Sequence, residues 1–317
     1  TTSLKENSSV LKMAASDVAV GVIFLSQTVV GFLGNFSLLY QYLLLGFSGY
    51  RMRFTDLFIK HLTVGNLCVL CQGVTHTMAA LGFKDFLSDF GCKFLFYLYR
   101  VGGGMSISST SLLSVFQAIM ISPRNSRLAK FKAKAPKYTG LSICLSWILY
   151  MLLTSIVPVF IIGKRRNTNF TTYRAFAYCS SILHDRTSLL LFTVQLSILD
   201  VVFLSLILWA SSFMVLVLHR HKEKMRHIHR TNVSSRSSPE SKATKTILVL
   251  VSTFVGLYSL SSIFRICVGL TDYPSLFLVN TGWITAGCFP AVSPFLLLSY
   301  DSNVSRHCLV WIRNRKP

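Results

Sequence analysis

The residues best suited to do chemistry in this chain are charged side chains inside long apolar stretches. Asp200 lies near the middle of the stretch 187–219, and Arg265 lies near the end of the stretch 246–270. Ionisable groups are costly inside a membrane and are usually functional or paired there. Arginine forks bind carboxylate or sulfate, so Arg265 and Arg100 could hold an anionic group together. Both could equally extend outward along their methylene stems to the headgroups.

Cysteine, serine and histidine spacing gives no catalytic or metal site. Cys68 and Cys71 form a C-x-x-C motif among eight cysteines. No second pair or suitably spaced histidine completes a metal site, so both are interpreted as buried apolar cysteines. No Ser/His/Asp arrangement faces a common aqueous site either. The sequence therefore predicts no enzyme activity, no metal and no cofactor.

Seven long apolar stretches are the elements that must position Asp200 and Arg265. A helix needs about 20 apolar residues to cross a bilayer, and its backbone groups must be paired within the segment. The predicted spans are about 18–46, 57–82, 93–121, 138–162, 188–219, 246–270 and 275–299. The 317 residues leave no room for a second folded domain. The sequence therefore predicts an all-α membrane protein, a single seven-transmembrane helix bundle (1–317) in the lipid bilayer.

The distribution of positive charge predicts the orientation. The formal net charge is +21, and alternate loops with the C-terminal tail carry twenty Lys and Arg residues against nine on the other side. Because Lys and Arg accumulate in cytoplasmic loops, the N-terminus is expected outside and the C-terminus in the cytoplasm. A nucleic-acid partner is not predicted, since it would need a soluble basic face.

Two cysteines and one sequon fall on the predicted outer side. Cys92 comes just before the third span and Cys179 lies between the fourth and fifth spans. That compartment is oxidising, so a disulfide between them is expected to tie the second outer loop to the third span. Asn169, in an Asn-Phe-Thr sequon, is the expected glycosylation site. Residues 1–12 are interpreted as a possible upstream extension before a start at Met13.

Short motifs of one kind are distributed along nearly the whole chain. They are FLSQTVVG and LGN within 24–35, LLSVFQAI and ISP within 112–123, HIHRTN and SSPE within 227–240, LVSTFV at 250–255, and Pro290 followed by SPF at 293–295. Together and in this order they resemble the vomeronasal type-1 receptors, a family of pheromone G protein-coupled receptors. The chain lacks the rhodopsin-like marks: the third span ends without Asp-Arg-Tyr, and Asn66 stands where those receptors place a sodium-binding Asp.

The resemblance implies a multi-pass receptor of the plasma membrane that detects a small chemosignal and activates a heterotrimeric Gi/o-type G protein. The alternatives are a bitter-taste-like chemoreceptor, which would lack the outer disulfide, and a non-functional relic of the family. A transporter is disfavoured because internal repeats are not evident.

One departure from the family pattern is Gly103, where the family usually carries Arg. It lies in a run of three glycines, which cost about 1 kcal/mol each in a helix but permit close helix packing.

Candidate site residues fall into an outer and an inner group. The ligand-pocket candidates are Tyr97, Tyr99, Arg100, Gln195, Asp200, Arg265, Asn280 and Trp283. The candidates for facing the G protein are Arg124, Arg127, Lys224 and Arg226. Each pocket candidate taken alone is more typical of helix packing, and the inner bases are equally explained by attraction to the inner leaflet.

Asp200 and Tyr99 carry more specific expectations. Asp200 matches an Asp of the family and is expected to face inward, with span-three serines such as Ser108 or Ser111 as partners. The alternative is a protonated carboxyl that only joins two helices. Tyr99 stands where aminergic receptors have their amine-binding Asp, which argues against a biogenic amine as ligand.

Overall fold

A computed structural model describes the backbone of most of the chain as helix. The described residues are 2–47, 53–83, 86–123, 127–163, 174–176, 179–181, 186–228, 239–271 and 274–300. The α-helices are α1 (Thr2–Phe47), α2 (Phe54–Ala80), α3 (Asp89–Ile121), α4 (Ala135–Thr154), α5 (Val157–Phe160), α6 (Arg186–Ile228), α7 (Pro239–Leu270) and α8 (Leu276–Tyr300). A 3-10 helix, Arg127–Phe131, precedes α4.

Seven segments of these helices are long and apolar enough to cross a membrane. They are Asp17–Phe47, Phe54–Ala80, Asp89–Ile121, Ala135–Phe160, Ser197–Arg220, Thr246–Val268 and Leu276–Leu298. Large apolar side chains stay on the outside of the bundle: Leu33, Leu152 and Val201 are 68%, 67% and 64% exposed. Such faces suit hydrocarbon, because lipid is their solvent. The predicted seven-transmembrane bundle is confirmed.

Helix α3 packs at the centre because its glycines allow backbone contact. A Cβ on Gly102 would lie 2.7 Å from the carbonyl oxygen of Gly65 in α2, and a Cβ on Gly65 would lie 2.9 Å from that of Gly102. Small residues at such crossings let membrane helices approach closely. Around this crossing Leu62, Met105 and Ile107 are fully buried in the core.

Helix α8 contains two prolines, and α1 compensates for one of them. Pro294 has no N–H, so the carbonyl of Pro290, four residues earlier, lacks its donor within the helix. The Nδ2 of Asn35 in α1 donates to this carbonyl at 2.8 Å. The Asn35 side chain also donates to Gly31 in its own helix, at 2.8 Å. A buried amide thereby completes the hydrogen bonding that a proline interrupts in a neighbouring span.

The described part of the segment between α5 and α6 contains three short strands that the sequence pattern did not predict. They are β1 (Ile161–Gly163), β2 (Arg174–Phe176) and β3 (Cys179–Ser181), in the antiparallel order β1-β3-β2. Each is three residues long, too short for a periodic hydrophobic pattern to be visible. β3 begins at Cys179, which forms a disulfide with Cys92 in the first turn of α3, with a Cα–Cα distance of 6.0 Å. The predicted disulfide is confirmed.

Candidate functional site

Asp200 lies inside the bundle and joins three helices. Its carboxylate is in α6, and the residue is 8% exposed. Tyr150 of α4 donates its hydroxyl to Oδ1 at 3.0 Å. Tyr258 of α7 donates its hydroxyl to Oδ2. Hydrogen bonds to a charged acceptor are stronger than neutral ones, so this arrangement, the Asp200 network, holds α4, α6 and α7 together.

The partners of Asp200 differ from those expected. Among the described residues no hydrogen bond joins it to Ser108 or Ser111. The hydroxyl of Ser108 contacts the Met105 carbonyl of its own helix at 3.3 Å. The hydroxyls that reach Asp200 belong to tyrosines, whose side chains extend further from their own helices than a serine side chain does.

Two adjoining cavities lie between the helices, in the half of the bundle near the disulfide. The larger cavity, about 430 Å³, is lined by Val69, Tyr99, Gly103, Ser106, Phe254, Leu257, Tyr258, Ser261, Arg265, Thr285, Ala286, Phe289 and Pro290. The smaller cavity, about 290 Å³, is lined by Phe24, Gln27, Thr28, Val69, Leu70, Gln72, Gly73, His76, Tyr99, Trp283, Ala286 and Gly287. Val69, Tyr99 and Ala286 line both cavities, so these three residues lie between the two spaces.

Arg265 stands at the wall of the larger cavity and is anchored by several groups. Its Nη2 donates to Ser262 Oγ at 2.8 Å. Its guanidinium carbon lies 5.4 Å from the centre of the Tyr258 ring, in cation–π range. It also interacts electrostatically with Tyr99 and Asp200. Arg265 therefore faces inward and does not extend to the headgroups.

Aromatic rings form the wall of the smaller cavity. The Trp283 ring centre lies 4.7 Å from His76 and 5.1 Å from Tyr99. His76 stacks on Phe24 at 4.9 Å. Trp283 also packs against the buried cluster around Cys92. The disulfide and the cavity wall are thus parts of one packed region.

Other pocket candidates lie away from both cavities. The Tyr97 hydroxyl donates to the Met151 carbonyl of α4 at 3.3 Å. Gln195 is exposed, and Asn280 is partly buried outside the two linings. Arg100 is partly buried and interacts electrostatically with the tyrosines of the Asp200 network. The structure therefore brings together Tyr99, Arg265, Trp283 and Asp200.

The inner candidates and the sequon can be placed only in part. Arg127 belongs to the 3-10 helix, and Lys224 and Arg226 belong to the last turns of α6. Arg124 and Asn169 lie outside the described residues. At this end of the bundle, Asp56 is 1% exposed and starts α2 by accepting the Arg53 backbone N–H at 2.8 Å. A carboxylate suits the positive end of a helix dipole.

Comparison with known proteins decides the family. The sequence model of the vomeronasal organ pheromone receptor family matches residues 18–310. The chain belongs to the vomeronasal type-1 receptor family. The chain is 51% identical to the human vomeronasal type-1 receptor 4 over 302 residues, covering 95% of this chain and all of that receptor. It is 48% identical to the human vomeronasal type-1 receptor 2 over 92% of this chain and 74% of the relative. It is 34% identical to the mouse vomeronasal type-1 receptor 45 over 89% of this chain and 88% of that receptor.

Membership confirms the resemblance found in the motifs. The vomeronasal type-1 receptors are a family of G protein-coupled-type receptors, not of enzymes. With its seven membrane-spanning helices, this member is a multi-pass protein of the plasma membrane.

The receptor's three consecutive glycines in α3 have different surroundings. A Cβ on Gly102 would meet the backbone of α2, whereas a Cβ on Gly103 would have nothing within 4 Å. Gly103 lines the larger cavity. The space beside position 103 is therefore open in this receptor.

Sequence reasoning missed several residues of this receptor's site, among them Tyr150, Tyr258 and Ser261, which the proposals below use. All three are polar groups in apolar spans, where a hydroxyl needs a partner. That signal was visible in the sequence. Which helix each hydroxyl faces was not, because the relative rotation of the helices is set by packing.

Proposed function

We propose that this receptor binds a small-molecule chemosignal in the larger cavity and activates a heterotrimeric G protein of the Gi/o class. The observation that carries the proposal is the position of Tyr258. Its ring lines the larger cavity, and its hydroxyl donates to Asp200. A mostly apolar cleft with a few polar groups is the usual form of a small-molecule site.

Tyr258 connects occupancy of the cavity with the position of two further helices. A ligand that displaces the Tyr258 ring changes a hydrogen bond to α6, and Asp200 passes the change to Tyr150 of α4. Such a ligand shifts a conformational equilibrium by its different affinity for the two states. The Asp200 network is then the coupling element between the site and the rest of the bundle.

The G protein is proposed to bind at the end of the bundle opposite the disulfide. The excess of Lys and Arg in alternate loops and the tail supports a cytoplasmic location for that end. Arg124, Arg127, Lys224 and Arg226 are the proposed contacts. The third span ends without Asp-Arg-Tyr, so other groups must hold the resting state. Asp56, buried at the start of α2, is a further candidate for that role.

The test is ligand-driven nucleotide exchange on Gαi/o in cells that display the receptor, with a library of small organic molecules. We expect responses that pertussis toxin abolishes. Tyr258→Phe keeps the cavity wall and removes the hydroxyl, so it should bind the same ligand with weaker activation. Tyr40→Phe, at a ring 59% exposed on α1, is the matched control and should respond as the unmodified receptor does. Responses resistant to the toxin would contradict the Gi/o assignment, and equal activation by both variants would contradict the coupling role.

A further inference from the structure

We propose that the larger cavity takes a neutral, mostly apolar molecule with one hydroxyl or carbonyl oxygen. Ser261 and Arg265 hold this oxygen, and Gly103 sets the size limit. The inference rests on the proposed function, because it names the chemical class of the chemosignal for the same cavity.

The body of the ligand is apolar because most of the wall is apolar. The apolar lining residues are Val69, Phe254, Leu257, Ala286, Phe289 and Pro290. They come from α2, α7 and α8. Transfer of hydrocarbon from water to such a wall is favourable in proportion to the apolar area covered.

Ser261 supplies the polar contact that the protein itself leaves unused. The residue is 2% exposed, and its Oγ has no hydrogen-bond partner in the part of the chain that the structure describes. It lines the larger cavity. Buried hydroxyls nearly always have a partner, so a ligand oxygen in the cavity would complete this one.

Arg265 lies one helical turn from Ser261 and faces the same cavity. Residues four apart share one face of a helix, so the hydroxyl and the guanidinium can meet the same ligand oxygen. An arginine has five N–H donors and accepts nothing. An acceptor oxygen is therefore the group that fits beside it.

The charge balance around Arg265 favours a neutral ligand. Among the described residues that line this cavity, Arg265 alone is charged, and the Tyr258 ring beside its guanidinium is hydrogen-bonded to the Asp200 carboxylate. An anion beside Arg265 would therefore be repelled by a carboxylate one side chain away. A ligand cation would be repelled by Arg265 at close range, and like charges in a low dielectric repel strongly.

Gly103 determines how large the ligand can be. A Cβ there meets no atom within 4 Å, whereas a Cβ on Gly104 would collide with Tyr150. A side chain at 103 would therefore project into the cavity without displacing the helix. Its volume is subtracted from the space in the cavity that a ligand can occupy.

The experiment uses five probes with one hydrocarbon skeleton: p-menthane and its 3-oxo, 3-hydroxy, 3-carboxylate and 3-amino derivatives. Binding to the purified full-length receptor is measured as the shift of its thermal unfolding midpoint over a concentration series. We expect the ketone and the alcohol to bind more tightly than the other three. Ser261→Ala should weaken the ketone and the alcohol about fivefold and leave p-menthane unchanged, because it removes one hydrogen bond.

The size limit is tested with matched glycine variants. Gly103→Leu fills the cavity and should abolish binding of all probes, and Gly103→Ala should weaken it. Gly256→Leu is the control, since a Cβ on Gly256 also meets nothing within 4 Å and this exposed residue does not line the cavity. The unfolding midpoints without probe show whether each variant is folded.

The possible outcomes separate this inference from the proposed function. Tightest binding by the carboxylate or the amine, no binding by any probe, or an unchanged preference in Ser261→Ala would overturn the assignment of a neutral oxygenated ligand. The receptor function would still stand if other molecules drove Gαi/o exchange. Probes that bind as expected but never drive exchange would leave the ligand class in place and contradict the signalling role.

Discussion

The ring of Tyr150 packs directly against the backbone of Gly104. A Cβ on Gly104 would collide with Cδ1 of Tyr150. Tyr150 is 3% exposed, and its hydroxyl donates to Asp200 at 3.0 Å. The missing side chain at position 104 is therefore what lets the tyrosine of α4 reach the carboxylate of α6.

Gly104→Ala is expected to destabilise the receptor by moving Tyr150 away from Asp200. Overpacking in a tight core costs about 1–3 kcal/mol, which exceeds the roughly 1 kcal/mol that alanine gains over glycine in a helix. The thermal unfolding midpoint of the purified receptor measures the change. Gly140→Ala on α4 is the control, because a Cβ there meets nothing within 4 Å. Equal midpoints for the two variants would show that Gly104 has no special packing role.

Substitution of Asn66 is expected to destabilise the receptor, as substitution of Gly104 does. Its Oδ1 accepts from Ser106 at 2.6 Å and its Nδ2 donates to Ser293 at 2.8 Å, which joins α2, α3 and α8. Asn66→Leu would leave both hydroxyls buried without this partner, at a cost of about 1–3 kcal/mol for each unsatisfied group. Surface delivery and the unfolding midpoint should both fall. Ser26→Ala, at an exposed serine bonded to its own helix, should change neither.

The sequence predicted the positions of residues along the helices better than the directions in which their side chains point around each helix axis. The seven spans and the disulfide follow from apolar length and from the order of the cysteines. The residues that line the cavities were predicted less well. Tyr97 and Tyr99 are two residues apart, so they point about 200° apart on a helix. Only Tyr99 lines a cavity. Gln195 and Asp200 differ by about 140° for the same reason.

The partners of Asp200 could not be predicted for a different physical reason. Tyr258 is 58 residues further along the chain, and the depth and rotation of α7 against α6 are set by packing. The sequence shows that a mid-membrane carboxylate needs donors. It does not show which of several hydroxyls at similar depth will provide them.

The disulfide predicts a pattern of surface expression. Cys92→Ser and Cys179→Ser should lower surface delivery equally, and the double variant should be no worse, because each single change already removes the whole bond. Loss of a native disulfide typically costs about 2–5 kcal/mol. Cys267→Ser, at an exposed free cysteine, is the control. Clearly additive losses in the double variant would mean that the two cysteines act independently.

The charge asymmetry predicts the orientation in the membrane. An epitope tag after Pro317 should be labelled only in permeabilised cells, since the basic loops and the tail are expected in the cytoplasm. Labelling of the tag on intact cells would show that the C-terminus lies outside and that the predicted orientation is wrong.

Glycosylation of Asn169 is an independent test of the same orientation. Glycosidase should increase the gel mobility of the receptor, and Asn169→Gln should remove that shift, because this sequon is the one expected in an outer loop away from the membrane. Asn303→Gln, in the tail, is the control and should keep the shift. A shift that persists in Asn169→Gln would show that another sequon is modified and that the sides need to be reassigned.

The final prediction concerns the coupling role of Asp200. Asp200→Leu removes both acceptors and leaves the hydroxyls of Tyr150 and Tyr258 unsatisfied, so ligand-driven G protein activation should fail even in molecules that reach the surface. Asp200→Asn keeps one acceptor oxygen and replaces the other by an N–H donor that faces a hydroxyl. Its activation should therefore be intermediate if the hydrogen bonds matter.

A double-mutant cycle identifies which tyrosine transmits the signal. Tyr258→Phe and Asp200→Asn should be non-additive by more than about 0.5 kcal/mol in the activation midpoint, since both change the hydrogen bond between these two residues. Tyr150→Phe tests the second bond in the same way. Strong coupling of Asp200 to Tyr258 with weak coupling to Tyr150 would place the signal on the α6–α7 contact, next to the cavity. Normal activation by Asp200→Leu at normal surface level would show that the carboxylate only holds helices together, because a coupling element cannot be removed without changing the response.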